Sequence, residues 1–542
     1  MILNLKHNTA KNLTAFMLLG ALWSCAQRAA LTGGEKDVLP PEIEATLPEN
    51  QTLNFTSKEI VVEFNEFVRL SNLQNQLIVS PLMKETPEVM IKGKKMVVKL
   101  PDGLEPNTTY SLNFGDAIID ITENNPYPNY KYVFSTGDYI DSLSYSGKVL
   151  NAEDLTPKAA VFVMLYNQLE DSVPLKQKPN YLAKTNADGL FSITNIAAGT
   201  YKVFALDDIN GNYLYDLPNE QVAFLNEAIQ LDSNTSDAAL YLFAKESEIQ
   251  FVKKIENKQY GKLTVELNNP STHVEVFNED DKPIVCSAKE TSKNQLQHTF
   301  WLQNEVSTDQ QTFIIKDKGK TIDTANVEMI IKQDFKDTLL SISSNATALF
   351  DLNKTLEITT HQPLAVFEKE KIKLFEDSIS VPFILEKDKN SDLKVFIEII
   401  TLKENTNYKL VIEPEALNSV YGLKNDTLIN VFKTKKEENY GTLNLSIVTN
   451  FTENYILQIL HKNEIVKEIF DSYNPQIHVH NLIPYLTPGE YQIKLIIDTN
   501  NNKKWDAGNY EQNLQPERVI FYQDNITIRE NWDNEIKWNI KL

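Results

Sequence analysis

Along the chain, apolar residues come in short runs that alternate with polar ones or stand in small clusters, closed off by Asn, Asp, Gly and Pro. "EIVVEFNEFV" (59–68), "KKMVVKL" (94–100), "TYSLNFG" (109–115) and "YKYVFST" (130–136) are examples, rich in Val, Phe and Tyr. A period of two with such residues and such borders predicts strands. In "GEYQIKLIID" the period puts Tyr491, Ile493, Leu495 and Ile497 on one face, with Gln492 and Lys494 on the other. No long stretch carries a helical stripe with caps. The pattern predicts an all-β chain of packed sandwiches rather than a parallel sheet. At 542 residues it calls for several domains.

The pattern also repeats. "LEPNTTYSLNF" (104–114) returns as "LKENTNYKLVI" (402–412), and "VFST" (133–136) returns as "VFKT" (431–434). "NIAAGTYKVFALDDINGNYLYD" (195–216) aligns without a gap on "YLTPGEYQIKLIIDTNNNKKWD" (485–506). An A segment (37–137) and a B segment (138–245) therefore return as A′ (337–435) and B′ (436–542), around a β-rich middle segment (246–336). Tyr110 and Tyr408 follow equivalent Asn/Thr turns, and each is expected to tie down a sandwich corner through its hydroxyl.

On "PPEIEATLPEN", "EIVVEFNEFV" and "LEPNTTYSLNFGDAIIDITENN", the A segment resembles the SbsA-type bacterial Ig-like domain. On "YSGKVLNAEDLTPKAAVFVMLYN" and the "D-G-x-F … G-x-Y" pattern at Asp188, Gly189, Phe191, Gly199 and Tyr201, the B segment resembles a transthyretin-like domain. A′ and B′ resemble second copies. Together they resemble a lipoprotein family of Bacteroidota, which implies tandem Ig-like and transthyretin-like sandwiches on a lipidated N-terminal tether.

The N-terminus agrees. Lys6 and Lys11 precede the apolar run "AFMLLGAL", too short to cross a bilayer, and "LWSC" resembles a lipobox with Cys25 as the lipidated residue. Residues 1–24 read as a signal peptide and 25–36 as a tether rich in small residues. The lipid implies an outer-membrane anchor as the link to the membrane. Arg28 stands where surface-displayed lipoproteins of this group carry acids, which favours the periplasmic face. The net charge of −21 argues against a nucleic-acid partner, whose phosphates need basic clusters. Cys286 has no second thiol downstream of Cys25 to pair with and reads as a buried small hydrophobe.

Two loops stand out chemically. Asp208, Asn210, Asn212 and Asp216 occupy loop positions one, three, five and nine, and Asp498, Asn500, Asn502 and Asp506 repeat the spacing. Alternate Asx side chains aimed at one centre supply the hard oxygens calcium prefers, and the spacing is similar to calcium loops of surface adhesins. Position six is Tyr213 or Lys503 rather than Gly, and Glu220 and Glu511 lie close but out of the twelfth-position register. Two Asp per loop imply an affinity of roughly 10⁻⁴–10⁻³ M. The same residues also favour a plain Asx-rich hairpin, so both readings stand: calcium site or turn. No other cofactor is implied.

Nucleophile elbows, zincin helices, phosphate-cradling Gly loops and CxxC pairs are missing from the sequence, which points away from an enzyme. Asp-Ser/Thr followed by an apolar residue occurs at Asp141, Asp171, Asp323, Asp337, Asp377 and Asp426, a pattern similar to the O-glycosylation acceptor of Bacteroidota. The expected role is a structural, scaffold or binding module of the envelope, acting on a protein or polysaccharide partner. The alternative is a surface-exposed carbohydrate- or protein-binding adhesin, which calls for an aromatic platform that the five Trp do not form along the sequence.

Overall fold

A computed structural model describes residues 38–541 apart from 246, 248, 304–308 and 472–478. The expected signal peptide and tether, with Cys25, lie outside the described residues. The described chain is almost entirely β, built as tandem β-sandwich domains. It divides into two compact units, one holding residues up to Ser144 with Asn180–Ala183 and Ile193–Ala198, the other holding the rest.

In the first unit the A segment forms a sheet ordered Ile43–Leu47, Glu59–Phe64, Lys95–Lys99, Glu88–Lys92. A facing sheet is ordered Ile78–Ser80, Thr109–Asn113, Lys131–Ser135. Ile60, Val62, Phe64, Met96, Val98, Tyr110, Leu112, Tyr132 and Phe134 fill the space between them. Alternation explains the choice, since Glu59, Val61 and Glu63 point away while their neighbours are buried. The run expected as one strand over 59–68 is broken. It stops at Phe64, and Val68–Leu70 pairs with Ile118–Asp120 instead. Asn65 makes the break: its N–H donates to the Glu42 carbonyl (2.9 Å) and its Oδ1 accepts the Glu42 N–H (2.9 Å). A side chain that satisfies a neighbouring backbone competes with the ladder.

The second unit contains the other domains apart from the pieces of B that belong to the first. A′ repeats the layout of A, with one sheet ordered Ile342–Ser344, Leu356–Thr360, Lys394–Ile399, Phe383–Lys387. Its second sheet centres on Asn407–Ile412 and Leu428–Thr434, around a core that includes Ile358, Leu374, Ile397, Tyr408 and Phe432. The middle segment is a smaller sandwich of a four-stranded and a three-stranded sheet packed on Leu263, Val265, Phe313 and Ile315. Cys286 is half-buried there rather than buried, at the start of the edge strand Cys286–Thr291, where burial pushes its thiol pKa up.

B and B′ share one topology. In each, the first strand pairs in parallel with the last, Leu143–Asn151 with Thr235–Ala244 and Gly441–Thr449 with Asp533–Ile540. A central strand, Gly199–Leu206 or Gly489–Asp498, is flanked by Phe162–Tyr166 and Gln221–Phe224, or by Asn454–His461 and Val519–Phe521. Tyr491, Ile493, Leu495 and Ile497 face the B′ core as the alternation predicts. The opposite face differs from expectation, because Lys494 and Ile496 are buried as well. Only the packing of other segments over that face decides this.

Candidate functional site

The two Asx loops connect equivalent strands. Asp207 N–H donates to the Gln221 carbonyl (2.9 Å) at the neck of the B loop, and Ile497 N–H donates to the Arg518 carbonyl (3.0 Å) at the neck of the B′ loop. The loops share left-handed backbone at the same two positions. Gly211 and Asn501 have φ of 74° and 59°, and Tyr213 and Lys503 have φ of 64° and 66°. These left-handed positions suit Gly and Asn, while Tyr213 and Lys503 are held there by the first Asp of each loop. Asp208 accepts the N–H groups of Gly211 (2.7 Å) and Tyr213 (2.8 Å); Asp498 accepts those of Asn502 (3.0 Å) and Lys503 (2.9 Å).

The remaining Asx residues converge. Asn210 and Asn212 donate their Nδ2 groups to Asp216 at 3.0 and 2.7 Å, and Asn500 and Asn502 donate theirs to Asp506 at 2.6 and 2.5 Å. Three of the four sequence-predicted side chains of each loop thus meet, one carboxylate and two amides, while Asp208 and Asp498 turn to backbone N–H groups. The amide oxygens accept backbone N–H groups, Asn210 Oδ1 from Asn212 (3.1 Å), Asn212 Oδ1 from Leu214 (2.7 Å), Asn500 Oδ1 from Asn502 (3.0 Å) and Asn502 Oδ1 from Lys504 (3.0 Å), so offering those oxygens to a hard cation would cost each loop these bonds. Among the described residues no three His, Cys, Asp or Glu side chains form a metal cage.

A buried glutamate anchors each loop. Glu220 is 0% exposed and accepts the N–H groups of Ile209 (3.3 Å), Asp216 (3.1 Å) and Leu217 (3.1 Å). In B′ the equivalent is Glu517, 7% exposed, which accepts Thr499 N–H (2.7 Å), Thr499 Oγ1–H (3.0 Å) and Asp506 N–H (3.2 Å). Burial raises the Glu517 pKa, against the lowering effect of those hydrogen bonds. Glu511, the acid the sequence offered here, pairs instead with Lys245 (2.8 Å). The B′ loop takes seven more residues to reach its glutamate, so spacing alone pointed to the wrong acid.

Those extra residues carry a contact between the repeats. Tyr510 sits against the outer face of the B sheet, its ring centroid 4.9 Å from that of Phe204 and 5.0 Å from that of Phe224. Its hydroxyl donates to the Asp171 carbonyl (2.8 Å), and burial together with Asp171 raises its pKa well above the usual tyrosine range. Gly508 lies so close to Phe243 that a Cβ would strike the ring.

The equivalent outer face of B′ is not covered in this way. Phe204 pairs with Phe224 in B; at the same places in B′, Lys494 pairs with Phe521. Tyr215, seven residues after Asp208, corresponds to Trp505, seven after Asp498. A crevice of about 1460 Å³ opens over this face, walled by Glu153–Thr156 of B and by Lys293–Gln295 of the middle domain. Burial lowers the Lys494 pKa, while Glu153, Asp154 and Glu468 pull it back. The aromatic grouping that the sequence did not display is here: Trp505, Phe521 and Tyr522 line one crevice.

Residues 37–136 match the family model described as a bacterial Ig-like domain. No curated protein matches the chain. Among solved structures, the TIE protein of Bacillus anthracis is 12% identical, with 99% of this chain and 79% of that one covered at a TM-score of 0.14. The S-layer protein rSbsC(31-844) is 11% identical over 85% of this chain and 64% of its own, at a TM-score of 0.14. Sidekick-1 immunoglobulin domains 1–5 are 10% identical over 93% and 100%, at a TM-score of 0.12.

Proposed function

We propose that this chain is a non-catalytic envelope lipoprotein, anchored in the outer membrane through Cys25, whose tandem sandwiches carry a structural or binding role. The observation that supports it most is the bacterial Ig-like match at residues 37–136 in a chain that repeats its two-domain unit. The polar side chains of the matched loops are engaged in holding backbone, as a structural part requires. The Ser or Thr of all six Asp-Ser/Thr tripeptides, residues 142, 172, 324, 338, 378 and 427, is exposed, as glycan acceptors must be. The anchor reading is tested by metabolic labelling with a fatty-acid probe. Label carried by the parent and absent from Cys25→Ala supports it, and equal label in both refutes it. Protease added to intact cells separates the favoured periplasmic face from a surface-exposed adhesin.

Calcium at the two Asx loops belongs to the same proposal, as a stiffening ion and not a reactant. Asp208, Asn210, Asn212 and Asp216 would hold one ion, and Asp498, Asn500, Asn502 and Asp506 the other. With dissociation constants of roughly 10⁻⁴–10⁻³ M, about 10 mM calcium adds about 1.4–2.7 kcal/mol per site to the folded state. The melting temperature is expected to rise with calcium, to fall back with chelator, and to lose its response in Asp208→Ala/Asp498→Ala. A melt indifferent to calcium leaves the loops as turns.

A further inference from the structure

Lys494 is 7% exposed, lies in the B′ crevice, and has no hydrogen-bond or ion-pair partner among the described residues. A buried ammonium without a partner is costly unless something else meets it. B shows what the same place looks like when it is filled: Phe204 stands where Lys494 does, and Tyr510 of the chain itself covers it. In B′ no tyrosine of the described residues stands over that place, Leu155 and Trp505 pack beside it on Ile456, Ile496 and Val519, and a lysine takes the place of the covered phenylalanine.

The surroundings narrow the occupant. The crevice floor is the face of the sheet, not its edge, so it offers side chains rather than a row of backbone N–H and C=O groups, and an added peptide strand gains no ladder there. Four lysines and three acids line it, with Glu153, Asp154 and Glu468 acting on Lys494, so the charges nearly balance and a strongly charged ligand of either sign is not favoured. Amides such as Gln492 and Asn525 give and accept hydrogen bonds, as sugar hydroxyls require. Trp505 and Phe521 add apolar ring surface for the C–H faces of a sugar. The volume exceeds the 300–1,000 Å³ typical of small-molecule pockets, which fits several linked sugars better than one.

We infer that the outer face of the B′ sheet binds a neutral oligosaccharide, with Lys494 and Gln492 hydrogen-bonding its hydroxyls and Trp505 stacking on a ring. This deepens the binding part of the proposed role. Its test reads sugar binding and not location, so either can fail without the other.

The test is calorimetric titration of the full chain with cellohexaose, mannohexaose and chitohexaose. Hexagalacturonate and a capped hexapeptide of alternating Ser and Val serve as comparators. At least one neutral hexasaccharide is expected to bind below millimolar concentration and to shift tryptophan emission. Lys494→Met, which keeps the packed stem and removes the charge, is expected to weaken that binding about tenfold or more without lowering the melting temperature, since hydrogen bonds to a charged group contribute about 1.5–3 kcal/mol. Gln492→Ala, on an exposed side chain, gives a second readout should Lys494→Met misfold. The inference is overturned if none of the three neutral sugars binds at millimolar concentration. It is equally overturned if the charged sugar or the peptide binds in their place, or if the correctly folded variants bind as the parent does.

Discussion

Single residues show where this chain carries polar groups inside its sandwiches and what they cost. Gln362 is fully buried in A′, and neither its Oε1 nor its Nε2 has a hydrogen-bond partner among the described residues. An unsatisfied buried amide costs about 1–3 kcal/mol, so Gln362→Met, close in volume and apolar, is expected to raise the melting temperature of the full chain. An unchanged or lower melt would mean the amide is satisfied. Asp351 is the opposite case. Burial pushes its pKa up, but hydrogen bonds from Lys435 (2.7 Å) and Lys354 (3.1 Å), with a further one from Tyr440 (3.1 Å), hold it below the ordinary value. A carboxylate with a lowered folded pKa contributes stability that is complete above its unfolded pKa of about 3.9 and is lost as pH falls through the folded value. Melts from pH 7 down to about pH 2 are therefore expected to fall more steeply for the parent than for Asp351→Asn, which lacks the titrating group.

At the scale of elements, the repeated turns are where local sequence was most informative. The Tyr110 hydroxyl accepts the Glu105 N–H (2.9 Å), and the Tyr408 hydroxyl accepts the Lys403 N–H (3.1 Å). Thr136 and Thr434 close the same corners, accepting the N–H of Thr108 (2.9 Å) and Thr406 (3.0 Å). Tyr408→Phe leaves the Lys403 N–H without that partner and is expected to cost about 1–2 kcal/mol, read as faster amide exchange at residues 403–408. Unchanged exchange would show that solvent satisfies the group. These corners could be read from the sequence because all their partners lie within a few residues or in a recognisable repeat. The sheet switch after Phe64 could not, because Glu42 fixes it from another strand. Glu517 was missed for a similar reason: the longer B′ loop places its anchoring acid beyond the window that the B loop defines.

At the scale of the second unit, Tyr510 joins the two repeats. It is 4% exposed, and its ring fills the space over Phe204 and Phe224. Tyr510→Ala removes a buried aromatic, a change that costs about 3–5 kcal/mol when a core loses one. Amide exchange in Gly199–Leu206 and Gln221–Phe224 is expected to quicken and proteolysis within 507–516 to increase, while the B′ core strands stay protected. Protection unchanged in both B strands would mean that the contact contributes little.

The sequence by itself determined the all-β class, the repeat of A and B, the inward faces of the strands and the matched Asx loops. Each depends on a period of two or on side chains bonding to nearby backbone, and both are local. Only the tertiary structure decided what covers the outward faces. The same sheet face is plugged by Tyr510 in B and left as a crevice around Lys494 in B′. Alternation places a side chain on a face, but whether that face meets solvent, a neighbouring domain or a ligand depends on segments hundreds of residues away.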